Sequence, residues 1–341
     1  MRIATYNVEW FNVLFDDDGE LLLDGRWSRR YNVKRGEQLA ALGAVFQAMD
    51  ADAVMVIEAP DSSPHRSVEK ALENFAKHFG LRARRVLSGF TNDTQQEIAL
   101  MYDPDQMAAL HDPQGPQTGK HGAGGAPRFD GVFRTTIDTD GSTETVRFSK
   151  PPLEALLTLK AGRELRLIGV HIKSKAPHGA ANPTQVMQIS IENRRKQLAQ
   201  CQWLRNRVVD HLSAGDQVLV MGDFNDGPGL DEYERLFGRS SVEIVLGEGG
   251  GQQLFDPHAH MALSQRIGAV PTTSRFYLSD QKRYFQALLD YIMVSKLVRD
   301  SNPAWRIWHP FDDPQCFDNH DMCAALLAAS DHFPVTIDFE P

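Results

Sequence analysis

The sequence predicts a layered α/β or α+β protein, because short apolar segments alternate with longer segments of helical periodicity along the chain. The apolar segments are rich in Val, Ile and Leu, and they predict buried strands at Ala53–Ile57, Leu165–Ile172, Gln217–Met221 and Tyr291–Val294. Apolar residues along one helical face predict helices at Arg35–Met49, Ser67–Phe79 and Val186–Leu212. Elements that interleave in this way are typical of β-sheets covered by helices.

We expect one domain, spanning residues 1–341, because nothing in the sequence resembles an interdomain linker. Helix and strand signals resume soon after each segment that breaks the pattern. We therefore expect these segments, rich in glycine, proline or acidic and aromatic residues, to be loop insertions near 111–131, 247–261 and 308–321. With 42% hydrophobic and 24% charged residues, the chain has the composition of a globular protein with a large core.

The net charge, the hydropathy and the cysteines indicate which classes of protein are less expected. A net charge of −9 is mild evidence against tight, processive binding to duplex DNA, which depends on Lys and Arg that neutralise phosphates. The sequence has no apolar run long enough for a membrane span and no secretion signal at its start. Cys201, Cys316 and Cys323 fit neither a disulfide framework nor a zinc pattern. We therefore expect a cytoplasmic protein with reduced thiols.

Polar and ionisable residues stand at the ends of most predicted strands. One such residue alone would be a solvated strand end or a turn former. If the strands lie in stacked sheets with these ends at one edge, however, the side chains converge on a single cleft. Carboxylate, amide and imidazole groups bind hard cations, hold phosphates and move protons. The residues are Asn7, Glu58, His171, Asp223 with Asn225, Asp290, and Asp331 with His332.

Two short motifs among these residues resemble a known superfamily. Gly-Asp-Phe-Asn at 222–225 and Ser-Asp-His at 330–332 resemble the GD-x-N and SDH motifs of the endonuclease/exonuclease/phosphatase, or deoxyribonuclease-I-like, superfamily. Further positions match in the expected order, namely Thr5-Tyr6-Asn7, Glu58, His171 and Asp290. The resemblance covers essentially the whole chain. It implies two packed, mainly antiparallel sheets flanked by helices, and hydrolysis of phosphate esters.

The resemblance also implies a cofactor, Mg²⁺ or Mn²⁺. Glu58 is at the position of the metal-binding glutamate of the superfamily. We expect Asn7 to lie beside it and Asp331 to be close enough to contribute. Hydrolysis of an anionic phosphodiester requires a cation or hydrogen-bond donors, because negative charge builds up on the phosphate oxygens as the new bond forms.

The remaining strand-end residues are expected to act on the water and the phosphate. We expect Asp223 to position and deprotonate the attacking water, and Asn225 to hold that water or a phosphate oxygen. His171 would donate to the phosphate. His332 would pair with Asp290 through one ring nitrogen and face the phosphate with the other, since a carboxylate partner favours the imidazolium.

Three further residues are candidates for substrate binding. The run His-Ile-Lys-Ser-Lys at 171–175 resembles bacterial extracellular-nuclease-like members of the superfamily. Strand alternation would set Lys173 and Lys175 on the same side as His171, where they would contact phosphate or form a solvated strand end. A tyrosine that many relatives direct at the phosphate has no clear equivalent here. Asn92 and Gln96 lie in about the right region, and we take Asn92 as the candidate.

The leading hypothesis is a nuclease or other phosphodiesterase acting on DNA or RNA, with no obligate protein partner. A phosphatase or phosphodiesterase acting on a small molecule or lipid headgroup is the alternative that the acidic charge favours. A catalytically silent binding scaffold is a more distant alternative, since a scaffold has no physical need for a complete set of ligands and proton carriers.

Overall fold

The computed structural model describes residues 1–136, 143–177, 179–230, 234–249, 252–264, 270–279 and 281–341. The strands in these ranges are β1 (Arg2–Asn7), β2 (Ala53–Ala59), β3 (Arg85–Ser88), β4 (Glu97–Tyr102), β5 (Met107–His111), β6 (Phe133–Thr136), β7 (Thr143–Val146), β8 (Leu153–Leu159), β9 (Glu164–His171), β10 (Val218–Asp223), β11 (Ser274–Leu278), β12 (Arg283–Ala287), β13 (Asp290–Val294), β14 (Ala304–Ile307) and β15 (Val335–Asp338). The α-helices are α1 (Arg35–Met49), α2 (Val68–Phe79), α3 (Pro183–Ala214), α4 (Glu234–Phe237), α5 (Ser241–Leu246), α6 (Pro257–Leu263), α7 (Lys296–Arg299), α8 (Pro314–Phe317) and α9 (His320–Ala329), and a short 3-10 helix covers Phe11–Leu14.

Two sheets form the centre of the protein. The first has six strands in the order β14-β15-β1-β2-β4-β3, and the second has five in the order β13-β10-β9-β8-β5. Neighbouring strands are antiparallel except for the pairs β1–β2 and β9–β10, which are parallel. Two further pairs, β6–β7 and β11–β12, form separate two-stranded ribbons. The predicted class, two packed and mainly antiparallel sheets flanked by helices, is confirmed.

Apolar cores lie between the sheets and on their outer faces. In β10, Leu219 and Met221 belong to the core between the sheets, whereas Val218 and Val220 belong to the core under α3 and α5. This alternation is the two-residue period of a strand buried on both faces. Every second residue of such a strand points into the space between the two sheets. A polar residue that follows the apolar part of the strand at this spacing therefore faces the end of that space.

The last strand joins the two ends of the chain. Strand β15 lies between β14 and β1 and is antiparallel to both. The Met1 amine donates to the carbonyl oxygen of Phe339 at 2.8 Å, and the Arg2 guanidinium binds both carboxylate oxygens of Asp338 at 2.8 and 3.0 Å. The six-stranded sheet is thus completed by residues from both ends of the sequence.

The predicted elements are present, with small shifts at their ends. The expected loop near 308–321 contains α8 and the start of α9, and the one near 247–261 contains most of α6, with residues 250 and 251 outside the described ranges. The single-domain assignment stays a prediction. None of the described helices combines the length and apolar character needed to cross a membrane. All three cysteines are free thiols.

Candidate active site

Three ionisable side chains lie in register at one end of the five-stranded sheet. Asp223 on β10 is the pairing partner of His171 on β9 and of Asp290 on β13. Asp223 and Asp290 continue the inward series of Leu219 and Ile292, and all three ionisable residues are buried. The hydrogen-bond register of three adjacent strands therefore brings them together, as the sequence predicts. We call these three residues, which the sequence predicts to be catalytic, the catalytic row.

A glycine permits the close pairing within this row. Gly222 has φ 134°, and a Cβ added there would lie 2.1 Å from the carbonyl oxygen of Val170. Because both groups belong to paired backbones, the contact could not be relieved without separating β9 from β10. The glycine of the Gly-Asp motif is thus a steric requirement for holding Asp223 next to His171.

The six-stranded sheet contributes Asn7 and Glu58 from the ends of β1 and β2. The β2–β4 ladder shifts register between Ile57 and Ala59, and at this bulge Glu58 has φ 61°. A left-handed backbone costs a non-glycine residue about 1–2 kcal/mol, and such strain is concentrated at functional sites. The bulge directs the glutamate across the gap between the sheets, where its Oε1 lies 4.0 Å from His171 Nε2.

Amide groups orient the carboxylate of Asp223. Asn7 Nδ2 and Asn225 Nδ2 each donate to its Oδ2 at 3.1 Å, and the backbone N–H of Asn225 donates to its Oδ1 at 2.7 Å. Burial raises the pKa of Asp223 to about 7, although the positive charge of His332 acts to lower it. The negative charge of Asp290 also raises this pKa. A carboxyl group with a pKa near neutrality is suited to accept and release a proton at neutral pH.

Asp290 and His332 form a buried hydrogen-bonded pair. His332 Nδ1 lies 2.7 Å from Asp290 Oδ2, which also accepts a hydrogen bond from Thr273 Oγ1 at 2.8 Å. Burial alone would lower the pKa of His332, but the charge and hydrogen bond of Asp290, with the charge of Asp223, hold it well above its ordinary value. His332 is therefore an imidazolium at neutral pH, and its Nε2 is the nitrogen not engaged by Asp290.

His171 lies beside a lysine that the sequence analysis missed. Lys150 Nζ lies 3.2 Å from His171 Nδ1 and 3.3 Å from its Nε2. Burial and then the charges of Lys150 and His332 lower the pKa of His171 well below its ordinary value, so this imidazole is neutral. Lys150 belongs to the irregular segment before β8, and its only sequence signal is the Pro-Pro pair that follows it.

Further contacts form the rim around Glu58. Its Oε2 accepts hydrogen bonds from Gln96 Nε2 at 2.7 Å and from the backbone N–H of Trp10 at 3.0 Å. Glu9 Oε2 accepts from the backbone N–H of Asp331 at 3.2 Å. Burial, and next the charge of Glu9, raise the pKa of Asp331 to about 7. Carboxyl groups that resist ionisation in this way lie on both sides of Glu58.

The reason given for the two candidate lysines after His171 is wrong. Strand β9 ends at His171, so strand alternation does not extend to Lys173 and Lys175. The ammonium of Lys175 forms an ion pair with the buried carboxylate of Asp226, and the backbone N–H of Lys173 donates to Gln200 Oε1 at 2.9 Å. Contact of either lysine with substrate stays a prediction.

Asn92 is engaged within its own turn. Its side chain accepts from the backbone N–H of Thr94 at 2.8 Å and donates to the carbonyl oxygen of Gln96 at 3.2 Å. The side chain from this region that contacts Glu58 is that of Gln96. The role of Asn92 in substrate binding stays a prediction, and Gln96 is the neighbour with a direct link to the site.

The donor set fits a divalent cation. Asp223, Asp290 and His332 offer ligand atoms that all lie within 4.8 Å of one another. Asp290 Oδ1 is buried and has no hydrogen-bond partner in the part of the chain that the structure describes. Burial is the main cause of the raised pKa of both Asp223 and Asp331, and the charge of Glu58 makes a smaller contribution to each. A cation would offset this mutual repulsion of buried carboxylates, and oxygen-rich sites of this kind suit hard divalent ions.

The sequence profile of the Endonuclease/Exonuclease/phosphatase family matches residues 4–332, which include every strand-end residue described above. The chain belongs to this family. It is accordingly a phosphoester hydrolase, as the sequence predicts. No curated protein sequence matches the chain.

Solved structures confirm the fold of this family member. Truncated TDP2 from Caenorhabditis elegans has a TM-score of 0.51 and 14% identity, and the alignment covers 100% of this chain and 97% of that one. An AP endonuclease from Archaeoglobus fulgidus has a TM-score of 0.51 and 10% identity, with 100% of both chains covered. The 3′ phosphatase NExo from Neisseria, bound to a product DNA hairpin, has a TM-score of 0.50 and 14% identity, again with 100% of both chains covered.

Proposed function

We propose that this protein is a divalent-metal-dependent phosphodiesterase that hydrolyses nucleic acid by attack of water on phosphorus. The observation that carries the proposal is the catalytic row of His171, Asp223 and Asp290, held in strand register and completed by His332. Together with His332, the row combines a carboxyl group with a pKa of about 7, a neutral imidazole and an imidazolium within one buried site. These are the groups that a phosphodiester hydrolase needs for proton transfer and charge stabilisation.

Mg²⁺ or Mn²⁺ is the proposed cofactor. We assign Glu58 as its main ligand, with Asn7 and Asp331 beside it, because the left-handed bulge directs this carboxylate into the gap between the sheets. When bound, the cation supplies positive charge that offsets the charge developing on the phosphate oxygens. The compact group of Asp223, Asp290 and His332 is the alternative ligand set, and it would require His332 to lose its proton when the cation binds.

Asp223 is the proposed base that deprotonates the attacking water. Its two oxygens are fixed by Asn7 and by the backbone and side chain of Asn225, so the carboxylate has one orientation. The same amides can orient the water beside it. Because burial raises the pKa of Asp223 to about 7, its ionised form is a stronger base than an exposed aspartate.

Three nitrogen donors are proposed to stabilise charge on the phosphate. His332 remains protonated through Asp290 and can donate from Nε2 to a phosphate oxygen or to the leaving group. His171 is neutral and can donate from one ring nitrogen. Lys150 adds a positive charge within 3.3 Å of that ring. Donors of this kind act strongly in a buried site because the surroundings screen their charge weakly.

A nucleic-acid substrate is supported by the family and by the phosphate-binding character of these donors. TDP2 from D. rerio has been solved with a single-strand DNA product, and NExo with a product DNA hairpin. DNA and RNA both present the required phosphodiester. A cytoplasmic location is proposed as well, and the three free cysteines agree with a reducing compartment.

The test is cleavage of supercoiled plasmid and single-stranded DNA and RNA with Mg²⁺ or Mn²⁺, with and without EDTA. Asp223→Asn keeps the shape of the side chain and removes the base. We expect EDTA-sensitive cleavage by the wild type and a loss of about 10²–10⁴-fold in the variant. Near-normal cleavage by Asp223→Asn would show that the assignment of the base is wrong.

A small-molecule phosphodiester is the second candidate substrate, and the net charge of −9 favours it. Metal-dependent hydrolysis of bis(4-nitrophenyl) phosphate, without cleavage of any nucleic acid, would support this candidate over the nuclease. Loss of both activities on metal removal is expected in either case.

A further inference from the structure

The segment Arg26–Arg35 is strongly basic in a chain that is acidic overall. Its ten residues include five cationic and two aromatic side chains and no acidic one, whereas the whole chain has a net charge of −9. We call it the basic–aromatic loop. Arginine and lysine interleaved with aromatic residues are typical of surfaces that bind the phosphates and bases of a nucleic acid strand.

This loop is held against the candidate active site. Its two ends meet at a bridge between Trp27 and Lys34. Near its middle, Arg30 forms an ion pair with Glu9, whose carboxylate also accepts the backbone N–H of Asp331. The carboxylate of Glu9 therefore connects the loop directly to the residue next to His332.

Arg29 provides a second connection, on the side of Glu58. Its guanidinium lies 4.4 Å from the ring centroid of Trp10, and the backbone N–H of Trp10 donates to Glu58 Oε2. Arg29 is exposed, and Trp10 is partly buried. A nucleic acid strand with a phosphate at Glu58 would therefore contact the exposed guanidinium of Arg29 and the indole ring of Trp10, the residue whose backbone N–H binds the Glu58 carboxylate.

Three exposed tyrosines continue the surface from the loop onto the β11–β12 ribbon. The rings of Tyr31 and Tyr277 are nearly parallel, 17° apart, with centroids separated by 6.4 Å. The ring centroid of Tyr277 also lies 5.2 Å from that of Tyr284, its cross-strand partner. The Arg275 guanidinium lies 3.4 Å from the ring centroid of Tyr284. Tyr31, Tyr277 and Tyr284 are 85%, 48% and 51% exposed. We call these three rings the tyrosine row.

The same ribbon supports the catalytic histidine. The backbone N–H of Arg275 donates to the carbonyl oxygen of Asp331 at 2.7 Å, and Ser274 forms a β-bridge with His332. The ring of Phe276, which points to the opposite face of the ribbon from Arg275, lies 5.4 Å from the ring of His332. The tyrosine row and the proposed catalytic centre are thus separated by the thickness of one two-stranded ribbon.

Exposed rings in this arrangement suit unpaired bases better than duplex. Bases in a duplex are already stacked on one another, whereas an unpaired base can stack on a tyrosine, an interaction that tolerates any sequence. Arginines beside the rings supply charge for the neighbouring phosphates. Arg30 and Arg35 are paired with Glu9 and Asp24, and Arg26 lies 4.0 Å from Asp24. Among the described residues, Arg29 and Lys34 are therefore the loop cations left to complement a phosphate.

We propose that the basic–aromatic loop and the tyrosine row bind an unpaired segment of a nucleic acid strand next to the scissile phosphate. The proposal rests on the proposed nuclease function, because it assigns a substrate class to the same site. It predicts that single strands, and strand ends or gaps that expose unpaired bases, bind more tightly than intact duplex.

The test measures binding in EDTA, so that cleavage plays no part. A fluorescently labelled single-stranded oligonucleotide and the duplex of the same sequence are titrated with the wild type and with Tyr31→Ala/Tyr277→Ala, followed by anisotropy. We expect the wild type to prefer the single strand, and the double variant to weaken single-strand binding by about tenfold or more. Equal affinity of the wild type for both forms would overturn the proposal.

Two control variants separate stacking from other effects. Tyr31→Phe/Tyr277→Phe keeps both rings and is expected to bind like the wild type. Phe317→Ala removes a ring of α8 that is 56% exposed, a value between those of Tyr277 and Tyr31, and should leave binding unchanged. If the alanine and phenylalanine pairs bind equally well, the tyrosine row does not stack on bases. Absence of metal-dependent cleavage by the wild type would instead contradict the proposed function, so the two failures are distinguishable.

Discussion

The candidate site has two walls that are built in different ways. One wall is the catalytic row, whose residues are direct pairing partners on adjacent strands. The other consists of side chains from irregular segments, including Lys150, Gln96 and the basic–aromatic loop. The first wall is buried and has its geometry fixed by backbone hydrogen bonds, whereas the second is partly exposed and is held by individual side-chain contacts.

This difference separates chemistry from recognition. Proton transfer requires atoms held within fractions of an ångström, which a hydrogen-bonded ladder provides. Substrate binding tolerates side chains that adjust to different strands, which loops provide. We therefore expect substitutions in the catalytic row to reduce turnover sharply and substitutions in the loop wall to have smaller effects.

After Asp223→Asn, the largest effect is expected from Gly222→Ala, which touches no reacting group. The added Cβ would meet the carbonyl oxygen of Val170 at 2.1 Å and force β9 and β10 apart. We expect a loss of activity of about 100-fold or more, as for displaced catalytic groups, and a lower melting temperature in thermal unfolding. Both would be measured by plasmid cleavage and calorimetry on the same preparation.

Gly215→Ala is the matched control for this substitution. Gly215 ends α3 with φ 83° and has no atom within 4 Å of the position of an added Cβ. It should lose about 1–2 kcal/mol of stability through its left-handed backbone and keep its activity. If the two variants behave alike, the register of the catalytic row does not depend on the close approach at Gly222.

A smaller but more specific effect is expected from Asp290→Asn. Asp290 holds the pKa of His332 above its ordinary value, so removal of this charge lowers that pKa. The imidazolium is then lost at a lower pH, and the alkaline limb of the pH–rate profile moves to lower pH, together with a reduced maximum rate. The profile of kcat/KM against pH measures this shift.

Asp256→Asn provides the comparison for the pH experiment. Asp256 is equally buried, caps α6 and accepts the backbone N–H of Ile292 next to the catalytic row, but it does not contact His332. Its substitution should change stability and leave the alkaline limb in place. An alkaline limb that stays fixed in Asp290→Asn would contradict the role assigned to His332.

The smallest effect is expected from Lys150→Met, which alters the loop wall only. The variant loses a cation beside His171, and we expect kcat/KM to fall by about tenfold to a hundredfold, at or below the range for a lost donor to a developing oxyanion. Lys150→Arg should recover most of the activity, since it restores the charge. A Lys150→Met enzyme with unchanged kcat/KM would show that this lysine does not act on the phosphate.

The same division explains what the sequence could predict. The sequence revealed five site residues because each stands at the end of an apolar strand, and the period of a strand can be recognised in a sequence. These residues are Asn7, Glu58, His171, Asp223 and Asp290. The superfamily motifs supported the assignment further, because these residues occur along the chain in the order expected for the superfamily. The bulge that re-aims Glu58 was not visible, because it depends on the pairing of β2 with β4 rather than on local composition.

The loop wall was predicted poorly for a related reason. Lys150 and Gln96 belong to irregular segments whose path depends on tertiary contacts. Such segments have no periodic pattern of apolar residues from which their path could be predicted. The extension of strand alternation to Lys175 failed because β9 ends earlier and Asp226 attracts the ammonium. The tyrosine row joins residues far apart in sequence, so only the fold reveals it.

The position of β15 has a consequence for the synthesis of the protein. This strand fills the place between β14 and β1, and His332 comes just before it. A nascent or prematurely terminated polypeptide that stops before Ser330 lacks both the strand that joins the chain ends and the imidazolium that the reaction needs. An enzyme proposed to cut nucleic acid would thus stay inert on the ribosome until His332 and β15 had been translated.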